Sequence, residues 1–136
     1  MPRPSVLVDT GALVALVRKR DRYHERVKEF LGTYFGELVT TWPVLTEAAH
    51  LLPTHLGPRV ISFANLPRWR VIDMRDAGKR IQELMQKYLD YPMDVADASL
   101  VWAAEETGVL DVLTLDWADF ATYRTRSGRA LRIVPV

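Results

Sequence analysis

The chain has 136 residues, 49% of them hydrophobic and 26% charged, with a net charge of +1. That is long enough for one domain with a real core, here taken as residues 1–136, and it excludes a disordered or collagen-like chain. There is no cysteine, so disulfides, zinc–thiolate centres and thiol nucleophiles are excluded. Overall charge points to no partner, but basic residues cluster locally: Arg18, Lys19, Arg20, Arg22, Arg26 and Lys28 early in the chain, and Arg124, Arg126, Arg129 and Arg132 near its end.

In chain order, short apolar runs alternate with amphipathic stretches. Ser5–Asp9 reads as a buried strand ended by Thr-Gly. Val6–Val17 is too short to cross a bilayer and carries Asp9, and the opening Met-Pro-Arg-Pro-Ser is no signal peptide, so a cytoplasmic protein is expected. Ala12–Arg18 and His24–Leu31 read as helices, the second ended by Gly32. Glu37–Thr41 is the next strand. Pro43 then suits the first turn of a helix that carries Glu47. Pro53 to Pro58 breaks that helix, and a shorter one is expected over Arg59–Asn65. Trp69–Met74 is a third strand. A helix from Asp76 to about Leu89 follows, with Ile81, Leu84, Met85, Tyr88 and Leu89 on its apolar face. Asp94–Thr107 forms a helix ended by Gly108, Asp111–Leu115 a fourth strand, and Leu131–Val134 the last. The alternation predicts an α/β fold: a mostly parallel central sheet of about five strands with helices on both faces. Ligands of such sheets bind at the carboxyl ends of the strands.

Four acids fall where that topology would gather them. Asp9 and Asp116 end apolar runs, and Glu47 and Asp97 sit on helices among apolar neighbours. Acids of one sign converging in a partly buried crevice repel one another unless a hard divalent cation lies between them, and oxygen-only ligands suit Mg²⁺ or Mn²⁺. Each acid also has a plainer account. Asp9 can be an N-cap, although Thr10 could cap instead and its hydroxyl orient a carboxylate or a water. Glu47 can compensate a helix dipole from the first turn. Asp94, three residues before Asp97 and on the same helix face, reads as the N-cap of its helix. Asp116, with Asp119 at the same spacing, can cap a short helix, though its place directly after the strand favours the metal. His24, His50 and His55 form no cluster and read as surface or core residues. No Ser-His-Asp order and no glycine-rich phosphate loop occurs.

Taken together, these segments resemble the PIN domain, and most closely the VapC toxins of bacterial and archaeal toxin–antitoxin pairs. Val6-Leu7-Val8-Asp9-Thr10-Gly11 is similar to the first acidic motif of that family and Thr41-Trp42-Pro43-Val44-Leu45-Thr46-Glu47 to the second. Ala96-Asp97-Ala98-Ser99-Leu100 resembles the third, and Leu113-Thr114-Leu115-Asp116-Trp117-Ala118-Asp119-Phe120 the fourth. Asp94 is an extra acid beside the third motif. The resemblance implies a Mg²⁺- or Mn²⁺-dependent endoribonuclease, a homodimer, inhibited by a small antitoxin protein. On this reading Asp9, Asp97 and Asp116 hold metal, Glu47 does so directly or through water, and Thr10, Asp94, Thr114 and Asp119 support them. Both basic clusters would contact RNA phosphates. Trp117 or Tyr123 could stack an RNA base, with core packing the plainer role for each.

The rival from another class is a catalytically silent PIN-like module that binds RNA or a protein partner. The presence of all four acids argues against it. Receiver domains need paired acids after the first strand and haloacid-dehalogenase phosphatases need Asp-x-Asp. Asp9-Thr10-Gly11 provides neither.

Overall fold

The computed structural model describes residues 3–136, so the first two residues of the opening stretch lie outside it. The first strand, β1 (Ser5–Val8), is a Val-Leu-Val run whose last three side chains are fully buried. Helices α1 (Thr10–Val17) and α2 (His24–Thr33) lead to β2 (Glu37–Thr40). α3 (Trp42–Leu51) carries Pro43 in its first turn, where a missing N–H costs nothing. A 3₁₀ turn at Thr54–Leu56, α4 (Gly57–Ser62) and a second 3₁₀ turn at Phe63–Asn65 then return the chain to β3 (Trp69–Val71). α5 (Gly78–Lys87), α6 (Val95–Thr107), β4 (Asp111–Leu113), α7 (Trp117–Thr122) and β5 (Arg132–Ile133) complete it.

The five strands pair in parallel in the order β3-β2-β1-β4-β5. The chain builds outward from β1 through β2 to β3, then crosses back to the other side of β1. With right-handed connections, this reversal sends the two sets of helices to opposite faces, as expected from the sequence. It also opens a crevice at the carboxyl ends of β1 and β4, the switch point where doubly wound sheets bind ligands.

Several boundaries differ from expectation. Gly32 lies inside α2, which runs on to Thr33. Around its end Arg68, from the far side of β2, donates to the carbonyls of Leu31, Tyr34 and Gly36. Gly36 is needed for a different reason, since a Cβ there would run into the Pro4 carbonyl and the Tyr34 ring. α4 starts two residues earlier than expected, at Gly57, with Pro58 in its first turn. The strands β3 and β4 are shorter than their apolar runs, so Asp116 lies three residues beyond β4 rather than at its end. Leu89 is 79% exposed because α5 stops at Lys87 and the chain turns away. Gly108 ends α6 as expected, in the left-handed conformation with φ of 75°.

α6 is apolar nearly all round. Ala96 to Ala104 are buried without a break, because the helix packs between α3 and α5. An acid on such a helix is placed by its neighbours rather than by solvent.

Candidate active site

One pocket of about 370 Å³ is lined by Asp9, Glu47, Asp94, Asp97, Asp116 and Asp119, together with Thr10 and Gly11. All four principal acids and the supporting Thr10, Asp94 and Asp119 therefore meet at the switch point. No lysine, arginine or histidine lines the pocket. Among the described residues no three of these side chains already stand in ligating geometry. The case for a cation accordingly rests on donor chemistry.

Asp9 is 5% exposed and stands at the N-cap of α1, but its side chain caps nothing. Instead its Oδ2 accepts a hydrogen bond of 2.9 Å from Thr114 Oγ1, and Thr114 Oγ1 in turn accepts one of 2.9 Å from the Asp116 N–H. Thr114, buried just past β4, thus fixes one acid by its proton and another by its lone pair. Burial pushes the Asp9 carboxyl up to about 6, against the hydrogen bonds from the Thr10 backbone and Thr114 that lower it. Thr10 Oγ1 is buried beside it with no hydrogen-bond partner among the described residues.

Asp94 is the N-cap of α6, its side chain accepting from Asp97 N–H at 2.8 Å. The plainer account holds for Asp94, and the cap also orients Asp97. Asp97 is 9% exposed, and its Oδ2 accepts from Tyr123 Oη at 3.1 Å. Burial first, then the charges of Asp94 and Asp9, push it up to about 8. Tyr123 itself is fully buried and edge-packed against Tyr88, Tyr91 and Phe120. Its core role is the plainer one, and its contact with Asp97 carries no sequence signal, since a tyrosine 26 positions away belongs to no motif.

Glu47 lies in the second turn of α3, so the dipole account fails. It is half-buried, and burial, then Asp94, raise its carboxyl to about 7. α3 is held against α6 by Thr41 and Ser99, whose hydroxyls are 2.6 Å apart. Ser99 spends its proton on Ala96 O at 2.7 Å, so Thr41 is the donor. Asp116 is the N-cap of α7 without a side-chain cap bond, so the helix-capping account fails there too. Burial, then Asp119, raise it to about 6. Four carboxyls raised together are what burial, reinforced by like charges gathered in one crevice, produces.

Thr114→Val tests the hinge between two of these acids. It keeps the shape but removes a donor to Asp9 and an acceptor for Asp116 N–H. Chemical denaturation should show a loss of about 1–3 kcal/mol.

The histidines stay outside. His24 Nδ1 lies 2.7 Å from Ala15 O, pinning α2 to α1, while His50 and His55 are exposed. The basic clusters divide. In the C-terminal one, Arg124 caps carbonyls of its own turn, Arg126 pairs with Glu83, and Arg132 pairs with Asp111 at 2.7 Å. The early cluster makes no ion pair among the described residues. Trp117 is 45% exposed, so core packing fails for it.

A doubly wound parallel sheet with six carboxylates in the pocket at its switch point defines an acidic-site α/β domain suited to a hard cation. The chain belongs to the PIN domain family, whose model matches residues 6–124. It is 25% identical over 135 residues to ribonuclease VapC26 of Mycobacterium tuberculosis (strain ATCC 25618 / H37Rv), covering 96% of this chain and all of that protein. The crystal structure of Mycobacterium tuberculosis VapC20, described as a sarcin–ricin loop cleaving toxin, superposes with a TM-score of 0.76 at 18% identity. The match covers 82% of this chain and 89% of that one, and shows the shared fold. No helix among the described residues is long and apolar enough to cross a membrane.

Proposed function

We propose that the chain is a divalent-metal-dependent endoribonuclease, the toxin of a toxin–antitoxin pair, acting in the cytoplasm. The observation that carries this reading is the all-oxygen pocket at the switch point, in a chain similar over its whole length to a ribonuclease of the same family. The donors fit Mg²⁺ or Mn²⁺: they are carboxylates, with the unpartnered Thr10 hydroxyl beside them and no nitrogen or sulfur ligand.

In this reading Asp9, Asp97 and Asp116 hold the ion, and Glu47 holds it directly or through water. When bound, Mg²⁺ or Mn²⁺ supplies positive charge for the scissile phosphate and makes water more acidic. The protein's own contribution is to place the acids. Thr114 orients Asp9, the Asp94 cap and the Tyr123 hydroxyl orient Asp97, and Asp119 flanks Asp116. The apolar wall of α6 keeps water from solvating Asp97 fully. A small antitoxin protein would silence the site, its arginine pairing with the acids, and the active form would be a homodimer.

Purified chain incubated with end-labelled RNA and Mn²⁺ should give discrete internal cuts rather than a ladder shortening from one end. Its expression should slow growth, and the adjacent small gene should relieve the arrest. Arrest that persists unchanged with Asp97→Asn would detach toxicity from this pocket and overturn the reading.

A further inference from the structure

We infer that Trp117, Tyr23, Arg22 and Arg26 form a strip that holds single-stranded RNA at the edge of the acidic pocket, with Trp117 stacking a base next to the scissile phosphate. This rests on the ribonuclease reading and specifies how the substrate is held.

The pocket is acidic throughout, so a polyanion must be held by cations outside it. Three of the four C-terminal arginines make contacts within the chain, whereas the early cluster, around the start of α2, makes no ion pair among the described residues. There Arg22 and Arg26 each place a guanidinium 5.6 Å from the Tyr23 ring centre, one residue before and three after it. Tyr23 is held in place locally, its N–H donating to Asp21 Oδ1 at 2.8 Å. Tyr23 also meets Trp117 edge-on, with ring centres 6.1 Å apart and planes at 83°. Trp117 is the first residue of α7 and follows Asp116 directly. A large indole, 45% exposed, therefore stands beside an acid of the pocket and continues through Tyr23 to two unpaired cations.

Aromatic faces in line with arginines are how proteins hold single strands without reading their sequence: the rings take bases and the cations take phosphates. The order along the strip matches a strand that enters the pocket with one phosphate, lays the neighbouring base on Trp117 and passes its next phosphates to Arg22 and Arg26. An acidic protein segment could also sit on these cations, but it would gain nothing from an exposed indole beside a pocket of its own sign.

Binding is best read in the Asp97→Asn chain, which keeps the surface and does not consume the probe. The probe is a short unstructured oligoribonucleotide of mixed sequence, followed by fluorescence anisotropy across a salt series. Trp117→Ala should weaken binding about tenfold with the salt slope unchanged, and Trp117→Phe should restore most of it. Arg22→Ala and Arg26→Ala should each lower the salt slope by about 0.7. In the otherwise native chain the Trp117→Ala loss should fall on KM rather than kcat. Equal binding by parent and Trp117→Ala, or no binding by the parent, overturns the inference. Equal RNA binding with an altered oligomeric state by light scattering would assign the strip to a protein contact and also overturn it. If the native chain cleaves RNA and Trp117→Ala cleaves it equally well, only this inference falls. If the native chain cleaves no RNA yet binding depends on Trp117, the ribonuclease reading falls and the strip stands.

Discussion

Asp97→Asn should reduce RNA cleavage by about 100-fold or more while leaving the metal-free protein more stable than the native chain. A loss of that size is about 2.7 kcal/mol of transition-state stabilisation, the scale expected when one carboxylate of a metal-binding set is neutralised. The stability gain has a separate origin. Asp97 is the most perturbed acid of the pocket, raised to about 8 by burial in the α6 packing and then by Asp94 and Asp9. An amide has nearly the same shape, still accepts from Tyr123 Oη, and removes both the buried charge and its repulsion. At pH 8 in the presence of chelator the gain should be on the order of 2 kcal/mol in chemical denaturation. Because the two readouts move in opposite directions, lost activity cannot be mistaken for lost fold. Full cleavage by Asp97→Asn would remove this acid from the active site.

Exhaustive chelation should abolish cleavage, Mg²⁺ or Mn²⁺ should restore it, and the pH dependence of stability should change sign between the two conditions. The acids at Asp9, Glu47, Asp97 and Asp116 bind protons more tightly in the folded chain, at about 6, 7, 8 and 6, than the unfolded chain does near 4. Below about pH 4 both states are protonated and the site costs nothing. As pH rises from about 4 to about 8 the unfolded chain gives up these protons first. The chelated protein should therefore lose stability steadily across that window and level off above it. A divalent cation that binds the ionised acids of the folded state alone should reverse the trend, raising the melting temperature more at pH 8 than at pH 5. A melting temperature insensitive to Mn²⁺ at pH 8, or cleavage that survives chelation, would refute the cation's role in this pocket.

The order of elements was legible because local patterning carries it. Continuous Val and Leu runs at Val6–Val8 and Val112–Leu113 mark strands buried on both faces, and Pro43 and Gly108 mark a helix start and a helix end by backbone chemistry alone. The principal acids stood out for a related reason: a charged residue in an apolar stretch, as at Asp97, has no local excuse for being there. Where a boundary depended on a partner from elsewhere in the chain, the pattern misled. Gly32 looks like a helix stop, but α2 runs on to Thr33, and its Leu31 carbonyl is met by Arg68 from more than thirty residues away. Leu89 continues an apolar periodicity that the turn after α5 leaves in solvent.

What the sequence alone determined, then, is the alternation of strands and helices and which acids stand at element ends or in apolar stretches, since both follow from residue type and from spacings of a few positions. What only the tertiary structure decided is how those acids are held and charged. That Thr114 serves Asp9 and Asp116 at once, that Tyr123 meets Asp97, and that Arg126 and Arg132 find Glu83 and Asp111 are all contacts between distant segments. Hydrogen bonding, burial and like-charge repulsion act over a few ångströms of space, and no spacing along the chain encodes which segments the sheet order brings that close.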